Sequence, residues 1–284
     1  MEKYSDATQE EKIREYLKLY VKTYAAARNR IGIPVDEDKL IELIDSATIE
    51  LFKDENMTGT FSVNQLKKWI AVIVNNFEKN GKKRNDFLLL HEMTHLSSYN
   101  NLNMYTRLRD DNQVAKFGES EKVINNSDMS GTDIFYGVIA IEEVVAQWMA
   151  EKCDEALGNG NRTSHKETHR VLGTDINVTT DFDNNDTYAP LETYVEAFSK
   201  KIGFSSIEDF AKAVVTGEID LFDYINESNI EYLGYIGILC EGIYQENGFS
   251  NPGLPESDIP KTITYLENNR LDIPFSDNPD TGDR

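Results

Sequence analysis

The sequence predicts an α+β fold that is mainly helical and contains a small sheet. Apolar residues recur at helical spacing in residues 7–29 and again in residues 36–53. A short, largely β-branched apolar run at residues 69–74 breaks this pattern and is typical of a strand. The chain has 284 residues, of which 39% are hydrophobic, so it can bury a substantial core in one large domain or two.

Two helices are expected in residues 1–56, which we treat as an N-terminal helical region. The first covers residues 7–29, and Gly32 and Pro34 follow it as stop signals. The second covers residues 36–53 and begins with acidic side chains, which interact favourably with the positive end of the helix dipole.

The chain changes character after this region, and a small sheet is expected. Residues 57–63 are typical of a turn that enters a strand. Residues 69–74 are predicted to form a strand, with a helix as the competing interpretation, because periodicity cannot settle so short an apolar run. A polar turn is expected at residues 80–84, and Asn85 or Asp86 is expected to cap the helix that follows.

That helix carries the most informative pattern in the chain, His-Glu-x-x-His at residues 91–95. Residues four apart share a helix face, so His91 and His95 can point two imidazoles at one ion. Zinc is the expected ion because it accepts neutral imidazole nitrogen at tetrahedral positions. Glu92 can take the proton of a zinc-bound water, whose pKa falls to about 7, and deliver it to a leaving amine. The pattern is associated with metalloproteases for this reason, although two solvated or packed histidines on a helix would also produce it.

A zinc protease site needs a third protein ligand and an open position for water. Residues 134–157 are predicted to form a strongly apolar helix, in which Glu142 and Glu143 are adjacent candidates. Here the sequence resembles the gluzincin-type HExxH metallopeptidases, in many of which the ligand helix reads roughly Glu-Gly-x-Ala-Glu-Tyr-x-Ala. Aligning Glu143 with the ligand glutamate places Ala146 and Ala150 on the two alanines, whereas aligning Glu142 does not. The resemblance therefore implies that Glu143 is the third ligand, with Glu142 as a supporting or solvated carboxylate.

Two residues depart from the pattern of this group. Val144 stands where glycine is common, and the neutral Gln147 stands where an acidic residue often orients a metal-binding histidine. The Gln147 amide oxygen can still accept a hydrogen bond from an imidazole N–H, but it raises the basicity of the ligand less than a carboxylate would.

The resemblance also implies how the chain is organised around the site. A zincin-like catalytic domain is expected at residues 57–225, with a small sheet packed on the helix of the zinc motif. A C-terminal helical region with an irregular tail is expected at residues 226–284. In zinc peptidases an edge strand holds an extended peptide by backbone pairing, and residues 69–74 are expected to play this part. Residues 97–133 are expected to form a long loop over or beside the site.

The tetrahedral intermediate of peptide hydrolysis carries an oxyanion, and enzymes of this type usually supply a Tyr or His donor to it. Tyr188, just before a proline-marked helix start, is the first candidate, and His169 is the second.

His165 and His169, with Glu167 between them, also form a candidate second metal site, although their polar surroundings favour a solvated segment. Residues 181–192 resemble a calcium loop but lack its central glycine, which favours an exposed acidic turn.

Charge and hydropathy exclude several function classes. The net charge of −21 and the pI near 4.6 disfavour binding to the phosphate backbone of nucleic acids. No apolar run approaches the roughly 20 residues that a membrane-spanning helix needs, and the polar N-terminus lacks an apolar signal segment. We therefore expect a cytoplasmic protein.

Cys153 and Cys240 lie far apart in sequence and are expected to be small buried hydrophobic residues.

The sequence thus predicts zinc-dependent hydrolysis of a bond in a peptide or protein substrate, without specifying that substrate or the oligomeric state. The predicted site comprises three Zn²⁺ ligands, a general base and an oxyanion donor, namely His91, His95, Glu143, Glu92 and Tyr188. The alternative is a zinc-binding regulatory or interaction protein that lacks turnover, an interpretation that Gln147 keeps open. An exported toxin or effector protease is a third interpretation, which the lack of a leader segment disfavours.

Overall fold

The computed structural model describes residues 2–4, 6–53, 61–64, 69–98, 123–124, 126–159, 164–181, 187–248 and 253–270. Within these ranges the chain forms eight α-helices, one 3₁₀ helix and six short strands, which confirms the mainly helical α+β prediction. Four of the strands form one sheet and the other two form a separate hairpin.

The first two helices are α1 (Ala7–Arg30) and α2 (Glu37–Ser46). α1 confirms the first helix prediction, and its N-cap is Asp6, whose carboxylate accepts backbone N–H groups of the first turn. The second prediction, a helix over residues 36–53, is wrong beyond Ser46, because residues 48–53 form a strand instead. The β-branched Thr48 and Ile49 favour a strand there, and pairing with a neighbouring strand satisfies the backbone.

The four-stranded sheet has the order β1-β2-β4-β3. Its strands are β1 (Glu2–Tyr4), β2 (Thr48–Lys53), β3 (Phe61–Asn64) and β4 (Trp69–Ile73). β2 pairs in parallel with β4, while the β1–β2 and β3–β4 pairs are antiparallel. Strands were therefore predicted correctly around residues 61–63 and 69–73.

The position of β4 in the sheet corrects the expectation that residues 69–74 form an edge. β4 has β2 on one side and β3 on the other, so both of its backbone edges are already engaged in pairing. Four of its five side chains are correspondingly buried, with Val72 fully so. A peptide substrate cannot add itself to this strand without displacing one of its partners, and the expectation is wrong.

The helix of the zinc motif, α3 (Val74–Ser97), follows β4 directly. It runs through residues 80–84, so the polar turn expected there is absent, and neither Asn85 nor Asp86 is a cap. An isolated glycine such as Gly81 costs a helix only about 1 kcal/mol relative to alanine, which packing can offset. The sheet and α1 both pack against α3, as the prediction of a small sheet on this helix requires.

Tyrosines of α1 hold the motif helix in place. The Tyr16 hydroxyl donates to the Asp86 carboxylate at 2.9 Å, and the Tyr20 hydroxyl donates to the Asp86 carbonyl oxygen at 2.6 Å. Within the motif and just after it, the Tyr24 hydroxyl hydrogen-bonds Thr94 Oγ1 at 3.2 Å and Ser97 Oγ at 3.0 Å. These contacts fix both the axial position and the rotation of α3.

The central helix of the second half is α4 (Gly131–Ala156), which confirms the helix predicted over residues 134–157. Ser130 and Asp133 form a reciprocal capping box at its start. The remaining elements are β5 (His165–Val171), β6 (Thr174–Thr180), α5 (Ala189–Lys201), α6 (Ile207–Thr216), the 3₁₀ helix Leu221–Tyr224, α7 (Ile230–Glu246) and α8 (Asp258–Asn269).

Among the described residues, the two largest apolar cores meet along α3 and α4. One lies between α1, α2, the sheet and α3, and it also takes in Ala150 and Cys153 of α4. The other surrounds α4 and contains α5, α7 and the hairpin. Cys153 and Cys240 are free and fully buried, as predicted. The domain boundaries expected at residues 56 and 225 stay a prediction. They state which segments fold independently, which packing alone does not test.

α4 and α7 pack so closely that their backbones are in direct contact. A methyl group added at Gly237 of α7 would overlap the carbonyl oxygen of Asp133, and one added at Gly137 of α4 would overlap that of Leu233. Only glycine permits so short a distance between the two helix backbones. This close packing brings the C-terminal end of α7 beside the middle of α4.

Two expectations, the loop at 97–133 and the tail from residue 268 onward, fall mainly outside the described residues. The acidic turn or calcium loop expected at 181–192 does so in part, because residues 182–186 are not described, whereas residues 189–192 form the start of α5. Within the described ranges, every helix is too short or too polar to span a lipid bilayer.

Candidate metal centre

Helices α3 and α4 bring the three predicted ligands together. His91 Nε2 and His95 Nε2 lie 3.0 Å apart, and Glu143 Oε2 lies 3.1 Å from the first and 3.3 Å from the second. The histidines are one turn apart on α3, as the motif predicts. Within the described part of the chain, this is the only set of three His, Cys, Asp or Glu side chains whose ligand atoms lie within 4.8 Å of one another.

The dimensions of this triangle fit a metal ion. Zinc–nitrogen and zinc–oxygen bonds of about 2.0–2.1 Å place neighbouring ligands of a tetrahedron about 3.3 Å apart. The three observed separations, from 3.0 to 3.3 Å, are close to that value. The three atoms can thus form one face of a tetrahedral site and leave the fourth corner for another ligand.

Hydrogen bonding of His91 directs a lone pair toward the centre of the triangle. His91 Nδ1 lies 3.2 Å from Gln147 Oε1, and an amide oxygen can only accept, so the proton is on Nδ1. His91 Nε2 therefore faces Glu143 Oε2 with a lone pair rather than a proton. Two electron-rich atoms at 3.1 Å are favourable when a cation lies beside them.

Gln147 is itself held in place by α4. Its amide nitrogen lies 3.5 Å from Glu151 Oε1, one turn further along the helix. Gln147 and Glu151 are both buried. The neutral residue at this position therefore orients the histidine as expected, and a carboxylate follows one turn behind it. Glu151 was not predicted, although its spacing of eight residues from Glu143 places it on the same helix face.

Burial and charge act in opposite directions on the ligands. Burial alone lowers the pKa of His95, but the charge and hydrogen bond of Glu143 outweigh it and raise the pKa to about 9. Burial raises the pKa of Glu143, but the charge of His95 and the hydrogen bond that His95 donates hold it well below its usual range. Without metal, the protonated His95 supplies the positive charge between these groups, and a metal ion would replace it.

Glu142, the alternative ligand, points elsewhere. It is about 100° from Glu143 around the helix, is only 2% exposed, and accepts a hydrogen bond from Ser98 Oγ at 3.3 Å. Burial raises its pKa to about 7, against the charge of His95 and the hydrogen bond from Ser98. The expectation that Glu142 would be a supporting or solvated carboxylate is corrected in one respect, because the side chain is buried.

Glu92 and Tyr188 lie beside the ligand cluster. Glu92 is half-buried on α3, and its negative charge contributes to raising the pKa values of His95 and Tyr188. The Tyr188 ring stacks on the His91 ring, with centroids 6.1 Å apart and planes 8° apart. Their assignment as general base and oxyanion donor stays a prediction.

Tyr244, in the last turn of α7, is a site residue that the sequence did not reveal. Its hydroxyl donates to Glu143 Oε1 at 2.9 Å, while Oε2 faces the two histidines. The Tyr188 and Tyr244 rings meet edge to face at 6.2 Å. Glycines in α7 do predict close packing against another helix, but nothing local indicates that the partner is α4 or that Tyr244 reaches Glu143.

The other two histidines lie in the hairpin. His165 and His169 occupy one face of β5, and both hydrogen-bond Glu167, which lies between them; His169 Nε2 is 2.7 Å from Glu167 Oε2. These three side chains are half-buried and alternate with exposed residues along β5, so the segment is solvated on one face rather than throughout. This trio does not gather three ligand atoms as the main site does. His169, the second oxyanion candidate, is thus engaged by a carboxylate of its own strand.

Comparison with known proteins gave no match, whether to family models, to curated proteins or to solved structures.

Proposed function

We propose that this protein is a zinc-dependent peptidase. The observation that supports this most strongly is the triangle of His91, His95 and Glu143 ligand atoms with near-tetrahedral spacing, directly beside Glu92 in a His-Glu-x-x-His helix. The ligand set, two imidazoles and one carboxylate, suits zinc with one coordination position left open. When bound, zinc supplies Lewis acidity and lowers the pKa of water to about 7.

The side chains of the site would bind the metal, orient its ligands, transfer a proton and donate to the oxyanion. His91, His95 and Glu143 hold the ion, and Gln147 fixes the orientation and tautomer of His91. Glu92 accepts a proton from the attacking water and returns it to the leaving amine. Tyr188, held beside His91, donates to the developing oxyanion of the substrate carbonyl.

One test compares matched variants of adjacent residues. Protein purified without chelator or metal-affinity resin is expected to contain one zinc per chain by elemental analysis. Glu143→Gln should lose it, whereas Glu142→Gln, which changes a neighbouring buried carboxylate in the same way, should keep it. Zinc absent from all samples, and not taken up when added, would refute the proposal.

A second test concerns turnover. Glu92→Gln is expected to retain zinc and to lose cleavage of a mixed peptide library, typically by 10²-fold or more, since it removes the proton acceptor. The competing proposal, a zinc-binding protein without turnover, is favoured by the neutral Gln147 beside His91. It predicts that wild-type protein and Glu92→Gln bind zinc alike and that neither cleaves any peptide of the library.

A further inference from the structure

We propose that Tyr244 is a positioning residue that makes Glu143 a ligand through one oxygen only, and that keeps the fourth coordination position open. The metal in this inference rests on the proposed function. The contact itself rests on geometry, because the Tyr244 hydroxyl lies 2.9 Å from Glu143 Oε1 and the other carboxylate oxygen faces the histidines.

The direction of the hydrogen bond between Tyr244 and Glu143 follows from the protons that each group carries. An ionised carboxylate can only accept, so Tyr244 donates its single hydroxyl proton to Glu143. Tyr244 also hydrogen-bonds Tyr188. The two rings are also in edge-to-face contact, with centroids 6.2 Å apart. A hydrogen-bonded chain therefore links Tyr188, Tyr244 and Glu143 Oε1.

This chain restricts how Glu143 can bind a metal. A free carboxylate can use one or both oxygens on a metal ion, and a second oxygen would occupy a position that a catalytic site needs for water or substrate. The phenol of Tyr244 holds Oε1 away, which leaves Oε2 to complete the triangle. Glu143 is thus fixed in the geometry of a ligand before any ion arrives, which lowers the entropic cost of binding.

The same chain also holds Tyr188. Its ring lies parallel to the His91 ring, and its hydroxyl is anchored on Tyr244. Tyr244 therefore links the ligand carboxylate to the residue proposed to donate to the oxyanion.

Packing of the helices places Tyr244 where this role requires it. The backbone contact between α4 and α7 at Gly137 and Gly237 brings the two helices together, and Tyr244 lies two turns beyond Gly237. Its ring is also in contact with Tyr136 of α4, at 5.8 Å between centroids. Tyr244 thus contacts α4 through its ring as well as through its hydroxyl.

The test measures metal binding rather than catalysis. Tyr244→Phe removes one hydroxyl and keeps the ring, and we expect zinc affinity, measured by competition with a chromophoric chelator, to fall about 10–100-fold. Cobalt(II) in place of zinc should show weaker visible absorption in this variant than in wild type, because a second carboxylate oxygen raises the coordination number. A purely structural role for Tyr244 would not change this spectrum.

Two matched variants separate the hydrogen bond from ring packing. Tyr136→Phe removes a phenol from the neighbouring ring and should leave zinc affinity and the cobalt spectrum unchanged. Tyr188→Phe removes the far end of the chain and should weaken zinc binding less than Tyr244→Phe, because Glu143 keeps its own donor. Melting curves of the metal-free proteins check that all three variants fold.

The outcomes distinguish this inference from the proposed function. Wild type that takes up zinc, together with a Tyr244→Phe variant of equal affinity and equal cobalt spectrum, would overturn the inference and leave the function standing. Equal losses in Tyr244→Phe and Tyr188→Phe would also overturn it, since the hydroxyl on Glu143 would then not be the cause. Wild type without zinc uptake would overturn both.

Discussion

At the scale of single residues, the site depends on how a buried cluster distributes charge. Glu142 and Glu143 are adjacent and chemically identical, yet one has its pKa raised to about 7 by burial and the other has its pKa held low by two histidines. The difference arises from the 100° between them on α4, which turns one carboxylate toward α3 histidines and the other toward Ser98. The choice of Glu143 as ligand over Glu142 agrees with this arrangement.

These shifts predict that the metal-free protein loses stability as pH rises. Glu142 and His95 both have pKa values raised above those of the unfolded chain, so the folded state binds more protons than the unfolded state does. The contribution of Glu142 is lost between about pH 4.5 and 7, and that of His95 between about pH 6.5 and 9. Urea unfolding in chelator at pH 5, 7 and 9 should show a falling free energy of unfolding, by roughly 3 kcal/mol for Glu142 alone.

Glu142→Gln provides the control for this pH dependence. Its amide does not titrate, so the loss of stability between pH 5 and 7 should largely disappear while the loss between pH 7 and 9 remains. Glu143 acts in the opposite direction, but only below its ordinary value of 4.5, outside this range. A free energy of unfolding that rises from pH 5 to 9 in wild type would contradict the assignment.

At the scale of secondary-structure elements, the arrangement of helices decides which side chains complete the site. α3 supplies the two histidines and Glu92, α4 supplies Glu143 and Gln147, and α7 supplies Tyr244. The α4–α7 contact is therefore part of the site even though its glycines are remote from the ligands.

Gly237→Ala is expected to destabilise the protein by about 1–3 kcal/mol. The added methyl group would overlap the backbone carbonyl of Asp133, which cannot rotate away, so the helices must separate. The gain in helix propensity, about 1 kcal/mol, offsets part of this loss. Chemical denaturation measures the change in the free energy of unfolding.

Gly234→Ala is the matched control on the same helix. There the added methyl group would overlap Sδ and Cγ of Met129, a flexible side chain that can change rotamer, and not a backbone atom. Its net effect should lie within about 1 kcal/mol of zero, because helix propensity compensates for repacking. Equal losses in the two variants would argue against backbone contact between α4 and α7.

At the scale of the whole molecule, the candidate metal centre lies where the two large apolar cores meet. α3 belongs to the core beneath the sheet, and α4 is the centre of the second core while contributing Ala150 and Cys153 to the first. An ion bound by His91, His95 and Glu143 would join these two halves through three bonds.

Zinc is therefore expected to stabilise the protein as a whole. At a free concentration one hundred times the Kd, a ligand that binds only the folded state adds about 2.7 kcal/mol, which corresponds to a rise in Tm of several degrees. Differential scanning calorimetry with and without zinc measures this shift. His95→Ala should show no shift, and a wild-type Tm that zinc leaves unchanged would contradict the prediction.

The sequence by itself determined the features that depend on local periodicity. His91 and His95 share a face because they are one turn apart, and the helix stripes of α1 and α4 follow from the same 3.6-residue repeat. The strand at residues 69–73 is recognisable because β-branched residues dominate a short run. Glu143 was preferred over Glu142 because of the resemblance to the ligand helix of the gluzincin-type metallopeptidases, and the structure places Glu143 beside the two histidines.

Only the tertiary structure decided the features that depend on segments far apart in sequence. The apolar pattern across residues 36–53 is divided between a helix and a strand, because β4 supplies a pairing partner for residues 48–53. β4 itself is an interior strand because β2 and β3 pair with it on either side. Tyr244, 101 positions from Glu143, entered the site because glycines allowed two helices to touch. Periodicity specifies which face of an element is apolar, whereas long-range packing decides what that face meets.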